Sequence, residues 1–528
     1  MQRSLRFHNA VLAVCLLLCG ATIAAAQRPA QPDEARTEKY YESVRQDPNL
    51  LLPFLRDMPK GGDLHNHLSG AIYAESFIQW AADGGDCVTP GSYSLSAGPC
   101  LGPAQSGATA LANPALYAGM IDAFSMRNWQ LSGQSGHDHF FGTFGKFGQA
   151  TDGNEDKMLA ETASRAASQH EIYQELMVTP TGHELEALAK SLGWNDDFSV
   201  MQQKLLANRL PQVLANASLQ VKAAEQSRDK ILHCGVPQAD PGCQIEQRFL
   251  FQVSRGKPKE IVFAEILAGF LMAGAEPAIV PRDPHFVSLN LVMPEDWYVP
   301  MRDFSLQMRM LDYLHERYPG VHITLHAGEL VPGLVPPEGL QFHVRDSVEI
   351  GHAERIGHGV DVMSETRPLE LLKEMADHNV MVEICLTSND VILGVSGKRH
   401  PLGEYIRAGV PVALATDDEG VARSDMTHEY LRAAQDQELS YTQLKKMART
   451  SLEYAFVSGA SLWSNGKAFT PVKECSGEKP DNKPSAACQK FLDASDKAGL
   501  QWKLESQFRE FESQTWTSPT NTTQPAAR

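Results

Sequence analysis

Eight short apolar runs that end in polar residues constrain this 528-residue chain more than any other feature. In order they are 60–68, 171–179, 244–255, 285–293, 321–329, 355–360, 380–389 and 410–418. Helical patterns separate them. The clearest are the amphipathic stretches MRDFSLQMRMLDYLHERY and RPLELLKEMADHN. A helical span over 156–170 leads into the second run, and a long one over 198–228 precedes the third. Strands that alternate with helices imply parallel βα units. Eight such units fit an α/β fold of the (β/α)8 TIM-barrel type, whose active site lies at the C-terminal ends of the strands. An open doubly wound sheet is the alternative. No G-x-G-x-x-G follows an early strand, which removes the best nucleotide signature of that fold.

The polar residues at the strand ends form a pattern. His65 and His67 end strand one, and His326 and Glu329 end strand five in HAGE. His358 ends strand six in IGHG, and Asp417 and Asp418 end strand eight in TDD. A strand's period of two puts His65 and His67 on one face. In a barrel all these ends converge on one mouth. Three imidazoles and a carboxylate suit Zn²⁺, which accepts nitrogen and oxygen ligands and leaves a position for water. Hard cations would want more oxygens. The expected ligands of one zinc ion per chain are therefore His65, His67, His326 and Asp417. Zinc lowers the pKa of bound water toward ~7. His358, with Asp417 or Asp418 nearby, suits the task of orienting that water and taking its proton. Glu329 can protonate a substrate. Any one of these motifs alone is better explained as a satisfied polar residue, a helix cap or a turn. The case rests on all four falling at ends of the same alternating pattern. A second H-x-H, His137 and His139 in HDHFFGTFGKF, lies in a helical or loop stretch. It reads as packing or a hydrophobic lid.

The ends of the chain and its cysteines suggest export. Residues 1–26 combine a basic start, an apolar run and a small-residue ending, as a cleaved signal peptide does, with cleavage after Ala26. The chain after cleavage carries 45 basic and 64 acidic side chains, of the 47 and 64 in the whole. That excess of negative charge argues against nucleic acid as a partner. Cys87 and Cys100, Cys234 and Cys243, and Cys475 and Cys488 each flank a short polar loop, as local disulfides in an oxidising compartment do. Cys385 reads as a buried strand residue. The expected organisation is a signal at 1–26, a cap segment at 27–57, a barrel at 58–514 with a surface insertion near 83–112, and a disordered tail at 515–528. The protein is expected to be periplasmic or secreted, without stable membrane association after cleavage. Oligomeric state is not readable from the sequence.

These motifs resemble the adenosine deaminase family of metal-dependent (β/α)8 hydrolases. PKGGDLHNHLSG looks like the family's opening, and HAGE, RIGHG, SN after a strand and TDD follow in the family's order. The resemblance runs from about Met58 to Gly459, and the extra cysteine-bearing loops resemble the secreted, extended members. It implies His65, His67, His326 and Asp417 as zinc ligands and Glu329 as proton donor to purine N1. It implies His358 as the group that orients the attacking hydroxide, and Asp418 as a carboxylate that meets hydroxide and the purine N7 edge. The implied reaction is hydrolytic deamination of adenosine or 2′-deoxyadenosine to inosine or 2′-deoxyinosine and ammonia. Three positions depart from the family. Ser69 stands where an acid commonly reaches the ribose. Met293 stands near a glycine whose backbone N–H meets the purine. Glu419 stands where proline is common. Ser69 and Met293 are the candidate substrate contacts beside Asp418. Adenine, AMP or a related amine-bearing heterocycle is the alternative substrate, with Lys398 and Arg399 as the only candidate phosphate cradle near a strand end. A nucleoside-binding protein without activity is a further alternative, against which the presence of both Glu329 and His358 argues.

Overall fold

The computed structural model describes residues 32–514 apart from 282 and 481, together with residue 516. The expected signal peptide and nearly all of the expected tail lie outside the described residues. Eight strands form one sheet: β1 (Gly61–His67), β2 (Glu171–Val178), β3 (Glu246–Ser254), β4 (Phe286–Val292), β5 (His322–Ala327), β6 (Arg355–His358), β7 (Met381–Ile384) and β8 (Val412–Leu414). They follow one another in chain order, and each neighbouring pair is parallel. The ends of the sheet meet just past β8. The Asp417 amide donates to the His65 carbonyl at 2.9 Å, and the His67 amide donates to the Asp417 carbonyl at 3.2 Å. The sheet is thus a nearly closed (β/α)8 barrel, as the alternating runs imply. Strands buried on both faces must be apolar nearly throughout, which is why they read as runs rather than alternations.

Helices cover the barrel according to their faces. Tyr298–His315 buries Phe304, Met308, Leu311 and Leu314, spaced three and four apart, and turns its charged residues outward. Lys259–Met272 is buried at every position from Ile261 onward, because it packs against barrel strands on one side and further helices on the other. Residues 32–57 form two helices that lie against Met426–Gln435, Tyr441–Glu453 and Asp496–Ser513. Lys445 joins them by reaching both Glu34 and Glu512.

Two expectations need correction. The span 198–228 is not one helix but two, Phe198–Leu206 and Leu210–Ile231. Pro211 starts the second, where its missing N–H costs nothing. The seventh run is a strand only over Met381–Ile384. Cys385 is buried but leaves the strand and begins the helix Leu386–Leu393. The insertion after β1 folds as a small three-stranded sheet. The three cysteine pairs are bridged as the spacing implies: Cys87–Cys100, Cys234–Cys243 and Cys475–Cys488.

The most heavily charged part of the core lies inside the barrel. Arg355 has no exposed surface. It pairs with Glu175 at 2.5 Å and Glu383 at 2.7 Å, and its guanidinium lies 3.9 Å from the centroid of Phe456. Removing one member of such a group leaves an uncompensated buried charge, at a cost of about 3–5 kcal/mol. Arg355→Met is therefore expected to destabilise the protein by about that amount, read as a lower denaturant midpoint with an unchanged slope.

Candidate active site

The four expected metal ligands come together at the C-terminal mouth of the barrel. His65 and His67 project from β1, His326 from β5, and Asp417 from the turn after β8. His326 Nε2 lies 3.1 Å from His65 Nε2 and 3.2 Å from His67 Nε2. Asp417 Oδ1 lies 3.4 Å from His65 Nε2 and 3.2 Å from His67 Nε2. Ligand atoms ~2.0–2.1 Å from a tetrahedral zinc ion would be roughly 3.3 Å apart. Among the described residues, His65, His326, His358 and Asp417 offer ligand atoms that all lie within 4.8 Å of one another, as do His67, Asp417 and Asp418, so largely buried groups that could hold a metal ion stand at this mouth.

The far side of each ring is held. His65 Nδ1 meets Glu383 Oε2 at 2.6 Å, His67 Nδ1 meets Gln252 Oε1 at 3.0 Å, and His326 Nδ1 meets Asn290 Oδ1 at 2.8 Å. An acceptor at Nδ1 fixes the tautomer and turns the Nε2 lone pair inward. Burial, with the neighbouring imidazoles, holds His326 well below the usual histidine range, so it is a neutral donor. Burial works against a charge on His65, but Asp417 and Glu383 outweigh it and raise the ring to about 10. A bound cation would take the place of that proton. Asp417 is fixed by Ser388, whose hydroxyl donates to Oδ2 at 2.6 Å.

Glu329, His358 and Asp418 line the same site. Glu329 Oε1 lies 3.6 Å from His358 Nδ1. Burial, then the nearby Asp417 and Glu295 carboxylates, push the Glu329 carboxyl well above its ordinary range. It therefore keeps its proton where an exposed glutamate would lose it. His358 is lowered by burial to about 4 and is neutral. Asn389 Nδ2 contacts His358 Nδ1 at 3.0 Å, and His400 Nε2 contacts Asn389 Oδ1 at 3.1 Å, so a polar chain behind the ring sets its plane. His358 Nε2 and Asp418 Oδ1 are buried with no protein partner. Burial raises Asp418 to about 8. Two glycines make room for this arrangement. A Cβ at Gly70 would stand 1.4 Å from Asp418 Oδ1, and one at Gly357 would stand 2.5 Å from His65 Cε1. The motifs LSG and IGHG need glycine for these close approaches.

The remaining sequence candidates fall as follows. Ser69 is half-buried in the turn after β1. Met293 follows β4 with φ +112, a backbone conformation that glycine adopts freely and methionine does not. Glu419 is buried and accepts from Arg165 Nη1 at 2.8 Å, which also donates to the Ala71 carbonyl at 2.7 Å. An arginine contact thus accounts for the acid where proline is common. His137 pairs with Asp296 at 3.0 Å, and His139 Nε2 reaches the carbonyls of Asp122 and Ser125. Both lie on a helix, Gly136–Phe147, that buries Phe140 and Phe147. Lys398 is exposed and 4.0 Å from Glu438, and Arg399 donates to the Gly394 carbonyl at 2.6 Å. Sequence reasoning missed Gln252, Asn290 and Glu383. Glu383 is the lone polar residue of its strand, while Gln252 and Asn290 are each flanked by apolar residues on both sides, which was the available signal.

Residues 211–461 match the adenosine deaminase family model. The segment includes His326, Glu329, His358, Asp417 and Asp418 and begins after His65 and His67. The adenosine deaminase of Yersinia pseudotuberculosis serotype O:1b is 37% identical over 143 residues, which is 27% of this chain and 40% of that protein. The adenosine deaminase of Escherichia coli strain SE11 is 38% identical over 143 residues, with the same shares. The chain thus matches about 40% of the length of these relatives. Among solved structures, the Arabidopsis protein ADAL complexed with IMP has the same fold, with a TM-score of 0.50 at 20% identity. That likeness covers 76% of this chain and 94% of the other. Residues 211–461, the part of the barrel that holds the HAGE, IGHG and TDD motifs, are thus similar to the adenosine deaminase family.

Proposed function

We propose that this protein is a zinc-dependent deaminase that hydrolyses adenosine and 2′-deoxyadenosine to inosine and 2′-deoxyinosine with release of ammonia. The observation that carries this reading is the buried, proton-retaining Glu329 carboxyl beside a neutral His358, three residues from His326 of the metal-ligand set. A binding site for a metal alone would need neither group.

A zinc ion held by His65, His67, His326 and Asp417 would supply Lewis acidity and bring the pKa of a water toward ~7. The chain's own residues do the rest. Glu329 donates its proton to ring N1 as water adds at C6, and His358 accepts the proton that the water gives up. That proton passes to the leaving amine, ammonia departs, and the C6 hydroxyl gives up its proton to restore the Glu329 carboxyl, so that the product keeps its N1–H. One water is consumed for each ammonia released. Asp418 Oδ1 has no protein partner, and with the proton that burial lets it keep at neutral pH the Asp418 carboxyl can donate to N7 of the purine edge. The engagement of Lys398 and Arg399 elsewhere supports a nucleoside over a nucleotide. Three disulfides support a working place outside the cytoplasm, which agrees with the export signal expected at 1–26.

The test is a panel of adenosine, 2′-deoxyadenosine, adenine and AMP, followed by absorbance and ammonia release, with and without added zinc. Metal-replete protein that leaves both nucleosides untouched overturns the reading. Glu329→Gln is expected to lower kcat by ~10²–10⁴-fold. The acid works only while protonated, so wild-type kcat should hold at neutral pH and fall as pH rises through the raised pKa of Glu329. A kcat–pH profile checks this. Glu383→Gln removes the anionic partner of His65 Nδ1 and should weaken zinc binding ~10–100-fold, measured by competition with a chelator.

A further inference from the structure

The chain that leaves β5 at Ala327 accepts at the Gly328 carbonyl from the Val360 and Asp361 amides, at 2.8 and 3.1 Å, and its own amides are held as well. Glu295, 2% exposed, accepts from the Glu329 amide through Oε1 at 2.8 Å and from the Gly328 amide through Oε2 at 3.1 Å. Arg255, fully buried, lies 3.7 Å from Glu295 Oε1 and donates through Nη1 to the His326 carbonyl at 3.2 Å. Gln307 in turn donates to the Arg255 carbonyl at 2.9 Å. His343 Nε2 stands 4.0 Å from the other Glu295 oxygen. Gly328 itself has φ +76, and a Cβ there would come within 2.4 Å of Asp361 Oδ1, so the loop has little room to shift. The HAGE backbone is therefore gripped at both ends, at the carbonyl of a metal-ligand residue and at the amide of the proton donor.

We infer that Glu295 is a positioning residue for Glu329. Its carboxylate oxygens meet the Gly328 and Glu329 amides, with Arg255 and His343 beside them. Its carboxylate fixes where the Glu329 backbone leaves the barrel, and hence where the Glu329 carboxyl stands relative to His358 and His326. The inference rests on the deaminase reading for its kinetic consequence and on the hydrogen bonds alone for its structural one. A carboxylate that merely satisfies two buried amides would affect stability when replaced. One that sets the position of an acid would affect the chemical step.

Two variants separate these roles. Glu295→Gln keeps the volume but turns an NH₂ group toward one of the amides. Glu295→Asp keeps both acceptors and draws them back by one methylene, and it serves if the glutamine variant does not fold. With zinc loaded, Glu295→Gln is expected to lower kcat ~10–100-fold, the loss that a displacement of about 1 Å brings. KM should stay within about threefold, chelator competition should give wild-type zinc affinity, and the alkaline limb of the kcat–pH profile should move. Glu295→Asp should recover part of kcat. Hydrogen exchange in the segment 326–330 should quicken in both variants while the remaining barrel stays protected. A folded, zinc-loaded variant with wild-type kcat and pH profile overturns the inference, as does a loss of activity that follows loss of metal or of Tm alone. If the wild-type protein deaminates no aminopurine, the functional reading fails separately. Unchanged exchange at 326–330 in the variants then overturns the clamp, and quickened exchange confined to that segment supports it.

Discussion

A positive charge with no access to water sits inside this barrel, and much of the site is arranged around it. Arg355 on β6 pairs with Glu175 on β2 and Glu383 on β7. Glu175 is tied further to the Tyr173 hydroxyl at 2.9 Å and the Phe456 amide at 2.7 Å. Glu383 also takes the Thr324 hydroxyl of β5 at 3.0 Å and gives its second oxygen to His65 of β1. One network thus joins five strands. A buried ion pair contributes little net stability, because desolvation offsets most of the attraction. What it supplies is direction. Burial resists a charge on Glu383, but Arg355 keeps it ionised, so His65 always faces an acceptor and its Nε2 always faces inward. The orientation of an expected metal ligand is in this way a consequence of core electrostatics three strands away.

The other two histidines are oriented differently. Gln252 and Asn290 hold them through neutral oxygens, and Asn290 also accepts from the His326 amide at 3.0 Å. Only one of the three rings therefore has a charged partner at Nδ1. A mouth that gathers a carboxylate from Asp417, another from Asp418 and a carboxyl from Glu329 is already crowded with acids. Neutral partners for His67 and His326 limit the negative charge packed beneath it.

The architecture and the cluster of candidate site residues were legible because both leave short, dense signals. Eight apolar runs with polar ends admit few folds, and HNH, HAGE and TDD each place two candidate groups within a few residues, with IGHG adding one. The supporting residues leave no such signal. Gln252 in FLFQVS and Asn290 in SLNLV look like ordinary interruptions of a strand, and only the closed barrel shows that their oxygens meet imidazoles from elsewhere. Distances in sequence hide them further: Glu383 and His65 are 318 residues apart. The seventh run misled for a related reason. ICL is apolar on both sides of Cys385, and an apolar run carries no periodicity to say where a buried strand becomes a buried helix. Over 198–228 the helical pattern continued across a break that Pro211 marks in the sequence itself.

Strain gathers where the chemistry is. His358 has φ +69, Asp417 has φ +58 and Met293 has φ +112, all at C-terminal ends of the strands and none a glycine. Such conformations persist only where surrounding contacts over-determine them. For the first two those contacts are on view: Asn389 holds His358, and Ser388 with the paired backbone of β1 holds Asp417. Met293 is different. It keeps the backbone path that a glycine would take, while its side chain lies against Gly256, where an added Cβ would be 3.4 Å from the Met293 methyl carbon. The main chain at the end of β4 thus stays where the fold puts it, and a flexible thioether is added to the wall. His65, His67, His326, Asp417 and Glu329 sit on or just beyond other strands, fixed by their own partners. A substitution at this one position can therefore change the surroundings of the end of β4 without disturbing that cluster.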